Sequence, residues 1–306
     1  MTILPVHTPY DGSSRLFAIG LRPLDLADWI EVDSNLLAHL AEKRRLYGEM
    51  ADKVFVEQPG TREAQQEVLD LLRAHLASRC PDTHRVDRDQ LEVIGADNGP
   101  AFSDAPLVAA SLLVQEDLIL MRRHEDGWRL DAGALCFPSS WSLAEKFGRP
   151  LQEIHRPVPG FGPGTRPDAL IMRMFDNLLV EQPVQRFNWS IQAGDDLYQP
   201  LSDSQRDVRA TTRPSNFPDG DVNAHAFLRV ERQTLRKLPL SGDILFTIRI
   251  HLDPLRVLAR HPDRERLAAS FVEQLMALDQ VQLDYKGLSA DRDRLVATLE
   301  HLAVPA

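Results

Sequence analysis

The sequence predicts an α+β protein in which a largely antiparallel sheet is flanked by helices from both ends of the chain. Two observations support this prediction. Apolar residues with helical spacing occur in the first and last thirds, whereas runs with strand-like alternation occupy the middle. Strands and helices do not alternate one by one, which disfavours a parallel sheet of the dinucleotide-binding kind.

The N-terminal third is predicted to contain irregular chain followed by two helices. Prolines and glycines interrupt the chain before Asn35. A helix is then predicted from Asn35 to Met50, and Thr61 can cap a second helix that runs to Arg79. Residues 82–106 are polar and rich in turn residues, so we expect a hinge or loop there.

The middle of the chain is predicted to form the sheet. Strand-like runs occupy residues 111–121, 127–137, 184–191, 224–235 and 243–252. Between the second and third runs, the capping-box pattern from Ser142 to Glu145 predicts a short helix, and a longer one is expected from Pro167 to Glu181.

The remaining segments are assigned as follows. Residues 195–220 read as a long polar loop, and loops of that length tend to be functional or mobile. Amphipathic helices are predicted over residues 264–279 and 290–302.

Composition excludes several classes of function. The 306 residues include 35 Lys+Arg and 45 Asp+Glu, and the net charge of -10 opposes binding to nucleic acid or an anionic membrane surface. The two cysteines, Cys80 and Cys136, show no CxxC spacing, so we expect a reducing cytoplasm. Phosphate-binding glycine motifs and G-x-S-x-G are absent, and the dispersed histidines argue against a self-contained zinc site.

His155 and Cys136 are alternative candidates for an iron ligand. We expect His155 to lie on an extended, proline-stiffened segment that would aim its ring with little conformational freedom. The alternative for His155 is a ring hydrogen-bonded inside the fold. Cys136 is either a rival thiolate ligand of haem or a buried apolar thiol. Trp141 either contacts a cofactor or belongs to the core.

A second candidate cluster is the strand that contains Arg229, Glu231 and Arg232. Strand periodicity sends Arg229 and Glu231 to one face and Arg232 to the other. The cluster is either a solvated face with a surface ion pair, or a site where an arginine binds ligand carboxylates such as haem propionates and Glu231 binds a cationic substrate.

Several blocks carry a family resemblance. They are, in chain order, QEDLIL, CFPSSW, IHRPVPG, RFNW, RVERQTLRKLP and FTIRIHL. With them, the sequence over residues 21–252 resembles the haem-dependent oxidative N-demethylase family, the α-subunit of dimethylamine-type secondary amine monooxygenases.

The resemblance implies a PAS-like antiparallel sheet that holds haem b. It also implies O2-dependent removal of a methyl group from a small secondary amine, with release of formaldehyde. A separate reductase subunit carrying FMN and an iron–sulfur cluster would supply electrons from NADPH, because this chain carries no reductase. A hetero- or homo-oligomer is consistent with that division.

Mapped onto this chain, the resemblance makes His155 the axial ligand, with Cys136 as its rival. Arg232 and Trp141 become cofactor-binding residues, and Arg229 and Glu231 become catalytic ones. We expect residues 107–252 to form the haem-binding core, with residues 1–106 and the helical residues 253–306 packed on it as one unit. A haem-binding sensor or carrier without turnover, or a cofactor-free scaffold, remains an alternative.

Overall fold

The computed structural model describes residues 4–87, 90–97, 102–217 and 220–304. The helices are α1 (Leu36–Val54), α2 (Arg62–Arg79), α3 (Pro106–Ser111), α4 (Leu143–Lys146), α5 (Leu151–His155), α6 (Arg166–Asn177), α7 (Asp203–Thr212), α8 (Val222–His225), α9 (Arg264–Met276), α10 (Gln280–Lys286) and α11 (Arg292–Ala303). The strands are β1 (Arg22–Pro23), β2 (Phe55–Glu57), β3 (His84–Asp87), β4 (Gln90–Val93), β5 (Asp117–His124), β6 (Gly127–Ala134), β7 (Val184–Ala193), β8 (Ala226–Lys237) and β9 (Ile244–Pro254). Short 3-10 helices span Leu26–Asp28 and Leu255–Arg260. Within the described ranges, every helix is too short or too polar to cross a lipid bilayer.

Seven strands form one antiparallel sheet in the order β1-β7-β8-β9-β5-β6-β2, while β3 and β4 pair separately. Its five central strands, β5 to β9, follow one another in the chain but stand in the order β6-β5-β9-β8-β7. Helices α4, α5 and α6 lie in the connection between β6 and β7. This architecture confirms the predicted α+β class, with a PAS-like antiparallel sheet and flanking helices.

The two faces of the sheet pack against different helices. On the outer face, Leu118 and Leu120 of β5 belong to a cluster with α2 and α3. At the other end of that face, Trp189 of β7 meets Phe271 of α9 edge to face, with ring centroids 4.7 Å apart. On the inner face, Ile119 and its neighbours face α5 and α6. Side chains alternate between faces along a strand, so one strand contributes to both layers.

Buried arginines join the N-terminal segment to the outer face. Arg232 of β8 donates from Nη1 to the carbonyl of Trp29 at 3.1 Å, and its Nε lies 3.1 Å from Oε1 of Glu31. Arg249 of β9 donates to the Glu31 carbonyl at 3.2 Å and to Asp33 Oδ2 at 2.7 Å. Arg232 is almost completely buried. The interpretation of its strand, β8, as a solvated face is therefore wrong.

Two segments predicted as loops contain regular secondary structure. Residues 82–106 contain the hairpin β3–β4, and residues 195–220 contain α7, so neither segment is only a loop. A true capping box begins α7, where Ser202 Oγ accepts the N–H of Gln205 at 3.1 Å. Polar composition hid this helix, although its capping pattern is present in the sequence.

The predicted capping box at Ser142 does not form. Helix α4 begins after Ser142, but the serine side chain caps no backbone N–H among the described residues. Glu145 instead accepts the backbone N–H of Asp203 at 2.8 Å, at the start of α7. A tertiary contact therefore takes the carboxylate that the local motif would use.

Replacing the buried Lys43 should destabilise the fold. Its Nζ donates to the carbonyls of Ser111 and Val114, both at 3.1 Å, and to that of Glu116. Lys43→Met leaves these carbonyls without their donor, so we expect the free energy of unfolding to fall by about 3 kcal/mol. The measurement is urea unfolding, with the exposed Lys53→Met on the same helix as control. A loss no larger than the control's would show that the carbonyls find other donors.

Candidate functional site

A cavity of about 440 Å³ lies between the inner face of the sheet and the helical connection from β6 to β7. Its volume is within the usual range of small-molecule sites. The sheet side is largely apolar near β5 and β9, where Ile119, Met121 and Ile248 line it. Phe161 and Phe175 line the opposite wall. This part of the cavity is therefore apolar, and the polar groups lie on other parts of the lining.

His155 projects into this cavity from α5. The helix starts after Pro150 and ends at His155, because the prolines at 157 and 159 cannot supply the N–H groups that would continue it. The backbone N–H of Val158 closes the turn on the His155 carbonyl at 2.9 Å. The prediction of an extended segment around His155 is therefore wrong, and a helix end sets the direction of its ring.

The electrostatics of His155 favour a neutral imidazole. Burial lowers its pKa to about 4, and the nearby cations Arg186 and Lys146 act in the same direction. Among the described residues, none hydrogen-bonds the ring. A neutral imidazole without a protein partner is the form that binds a metal centre.

Glu231 supplies the carboxylate of the cavity lining. It stands on β8 opposite Asn188 of β7, in the register that pairs these strands. Glu231 Oε2 accepts from Asn188 Nδ2 at 3.2 Å and from Gln233 Nε2 at 2.9 Å. Two amide donors therefore hold one carboxylate oxygen and leave the other less constrained.

Arg186 is an incompletely satisfied cation in the same lining. It lies opposite Gln233 in the β7–β8 register, on the cavity side of the sheet. Its Nε is buried and has no hydrogen-bond partner among the described residues. Burial lowers the pKa of Arg186, although the charge of Glu231 partly offsets this. An anionic ligand would satisfy this guanidinium.

Two later helices add further cations. From α10, Lys286 donates from Nζ to Asn188 Oδ1 at 3.1 Å and to the Trp189 carbonyl at 2.6 Å. Burial lowers the pKa of Lys286 to about 8. From α7, Arg206 donates to the Ser140 carbonyl at 3.3 Å, and Arg209 donates to the side chain of an asparagine. Sequence reasoning missed both arginines because it assigned their helix to a loop.

The lining of the cavity is consequently positive, although the whole chain carries a net charge of -10. Its cationic side chains are Lys146, Arg186, Arg206, Arg209 and Lys286, against the single carboxylate of Glu231 among the described lining residues. Such an imbalance inside a partly enclosed space favours a ligand that carries negative charge.

The other candidates occupy distinct places. Trp141 lines the cavity. Arg229 shares a sheet face with Glu231 but lies behind the lining, where Nη2 donates to the Phe137 carbonyl at 2.6 Å and Nε is 3.9 Å from Glu231 Oε1. Arg232 lies on the outer face, away from the cavity.

Cys136 is buried in the core that packs on the inner face of the sheet. Its backbone N–H donates to Asp117 Oδ1 at 2.7 Å, and its side chain is completely buried near Lys43 and Tyr47. Burial raises the pKa of the thiol to about 12. The thiol is therefore protonated at neutral pH, and Cys136 does not line the cavity.

A sequence model described as "haem-dependent oxidative N-demethylase, alpha subunit-like" matches residues 20–296. The chain belongs to this family. The resemblance noted in the sequence blocks is thereby confirmed, and the match takes in the sheet, α5, α7 and α10. The description of the N-demethylase family assigns haem as the cofactor and implies an assembly of more than one kind of subunit.

The cavity residues fit a haem group. A tetrapyrrole needs apolar walls, and the lining supplies them between the sheet and α6. Its iron needs an axial ligand, which the neutral ring of His155 can provide. Its two propionates need cations, and Arg186 presents a buried Nε without a partner. These features match the haem dependence of the N-demethylase family.

The pKa of His155 should be measurable in the haem-free protein. We expect its ring to stay neutral down to about pH 4 in an NMR titration, with the signal assigned through its loss in His155→Gln. Because the unfolded chain has a higher histidine pKa, near 6.5, it binds the proton more tightly than the folded chain does. Acidification from pH 6.5 to 4 should therefore destabilise wild type more than His155→Gln. A midpoint near 6.5 would show that water reaches the ring freely.

Proposed function

We propose that this protein removes a methyl group oxidatively from a small, dimethylamine-like secondary amine. The overall reaction consumes the amine, O2, NADPH and a proton, and yields the demethylated amine, formaldehyde, water and NADP+. One atom of O2 ends in formaldehyde and the other in water. The observation that carries the proposal is the convergence of His155 and Glu231 on one cavity in a member of a haem-dependent N-demethylase family.

In this proposal, His155 would hold the iron of haem b through its ring, and Trp141 would border the bound group. When bound, haem b activates O2 for the oxidation of the methyl carbon. Arg186, Arg206 and Arg209 bind the propionates, because they line a cavity whose cationic side chains outnumber its carboxylates. The outer-face contacts of Arg232 with Trp29 and Glu31 argue for a structural role rather than the predicted cofactor contact.

Glu231 binds the substrate nitrogen. Alkylamines are largely protonated at neutral pH, so a carboxylate attracts the ammonium group. The hydrogen bonds from Asn188 and Gln233 orient Glu231, and Arg229 supports it from behind at 3.9 Å. Glu231 can then accept the ammonium proton, which prepares the neutral amine for oxidation.

The charge of the lining determines the order in which haem and the amine bind. Before haem is bound, the described lining carries five cationic side chains against the one carboxylate of Glu231, and this excess of positive charge repels an ammonium ion. Two propionates would neutralise part of this charge. We therefore propose that haem binds first and that the amine binds only to the haem-loaded chain.

Electrons are proposed to come from a separate reductase subunit that uses NADPH, FMN and an iron–sulfur cluster. The alpha-subunit-like description of the family supports a division of labour between chains. The two cysteines of this sequence cannot provide the four thiolates that such clusters commonly need. Both cysteines are free, which agrees with the proposed cytoplasmic location.

Substitution of the two rival ligands separates them. We expect His155→Ala to lower haem occupancy or to change the ferric absorption spectrum, because it removes the imidazole that lines the cavity. Cys136→Ala should leave both largely unchanged, because its thiol is buried outside the lining. The opposite result would indicate that Cys136 is the iron ligand. If the protein stays colourless after haem reconstitution, the chain does not bind haem.

Glu231→Gln tests the amine site. We expect the affinity for the amine to fall about tenfold or more, since a charge-assisted contact is lost. The shift of the haem absorption band measures amine binding. Haem retention should change little. The control is Glu153→Gln, which removes a carboxylate that pairs with Arg156 outside the lining. An equal loss of haem binding and amine binding would show that Glu231 supports the fold rather than the amine site.

Turnover distinguishes the enzyme from a sensor or carrier. Incubation with dimethylamine, O2, NADPH and a flavin and iron–sulfur reductase should release formaldehyde from wild type. Amine binding without formaldehyde under these conditions would favour a protein that binds without turnover.

A further inference from the structure

We propose that His7, Glu31 and His251 form a binding site for a divalent transition-metal ion on the outer face of the sheet. The Nε2 atoms of His7 and His251 lie 2.9 and 3.0 Å from the same oxygen, Glu31 Oε2. All three ligand atoms lie within 4.8 Å of one another. The site is separate from the cavity and does not rest on the proposed demethylation.

The spacing of these atoms is close to that of a metal site. Zinc is bound at about 2.0–2.2 Å by histidine nitrogen and carboxylate oxygen, which puts tetrahedral ligands roughly 3.3–3.6 Å apart. The observed nitrogen-to-oxygen distances therefore need to open by only about 0.3–0.7 Å, within the reach of small side-chain rotations. Two imidazoles and one carboxylate form a donor set that suits zinc or iron.

The surroundings hold the three ligands in place. Arg232 Nε lies 3.1 Å from Glu31 Oε1, so the arginine helps to orient the carboxylate. His7 Nε2 contacts both carboxylate oxygens, at 3.0 Å for Oε1 and 2.9 Å for Oε2. The ring of His7 packs 4.6 Å from that of Phe187 and 4.9 Å from that of His251. His251 itself is carried by β9, which lies inside the sheet.

The contacts already point the coordinating atoms at one another. Glu31 Oε2 lies 2.9 Å from His7 Nε2 and 3.0 Å from His251 Nε2. Coordination uses the Nε2 lone pair of each histidine, so the ring proton must lie on Nδ1 when the ion is bound.

The ion we infer is of the zinc and ferrous-iron class rather than Mg²⁺ or Ca²⁺, which prefer oxygen ligands. His7 and Glu31 are partly exposed, at 21% and 26% of the side chain, so water can complete the coordination. The ion would link the N-terminal segment to the sheet. Phe17 and Ile19 of that segment line the cavity, so the site would also steady one of its walls.

The test uses the haem-loaded full chain and Zn²⁺ as the probe. Equilibrium dialysis with elemental analysis should find one zinc per chain in addition to the haem iron. His7→Gln and His251→Gln should each weaken zinc binding at least about tenfold, since each removes a ligand. A glutamine amide can still donate to Glu31, so these variants preserve a purely structural hydrogen bond. His225→Gln, at an exposed position, is the matched control.

The outcomes separate the alternatives. Tight zinc binding that both glutamine variants lose and His225→Gln retains supports the site. Absence of stoichiometric zinc, or equal binding by all variants, overturns it and leaves a hydrogen-bonded cluster. Urea unfolding of each variant reports whether the fold is intact. An excess of Mg²⁺ should not displace the zinc, and displacement would contradict the inferred ligand chemistry.

Discussion

The pairing of β7 with β8 is the constraint on which the cavity depends. Ten residue pairs, from Val184 with Leu235 to Ala193 with Ala226, hold the two strands in one register. That register places Arg186 and Glu231 on the inner face, because alternate side chains point to opposite sides. A register shift by one residue would turn the polar side chains of one strand to the outer face, where α9, α10 and α11 pack.

The electrostatic character of the cavity opposes that of the protein. A chain with a net charge of -10 gathers its cations inside an apolar slot, where burial depresses the pKa of Arg186 and Lys286. Such an arrangement costs desolvation energy in the free chain. A ligand with two carboxylates would offset that cost, so stability and cofactor binding are expected to be linked through the same side chains.

The outer face influences the inner cavity through the N-terminal segment. Arg232 and Arg249 bind the backbone around Glu31, and the histidine pair meets the Glu31 carboxylate. The same segment continues from His7 to Phe17, whose ring lines the cavity. Buried charges on one side of the sheet therefore help to shape the wall of a site on the other side.

The sequence by itself determined the α+β class, the five central strands, the longest helices, the haem-demethylase family and the residues His155, Trp141 and Glu231 that line the cavity. Periodicity and local motifs encode these features, because they depend on neighbours within a few positions. Only the tertiary structure decided which arginines face the cavity, since Arg206 and Arg209 come from a helix hidden in a polar segment. It also brought together His7, Glu31 and His251. Contacts between residues far apart in the chain arise from strand register and helix packing, which no local spacing records.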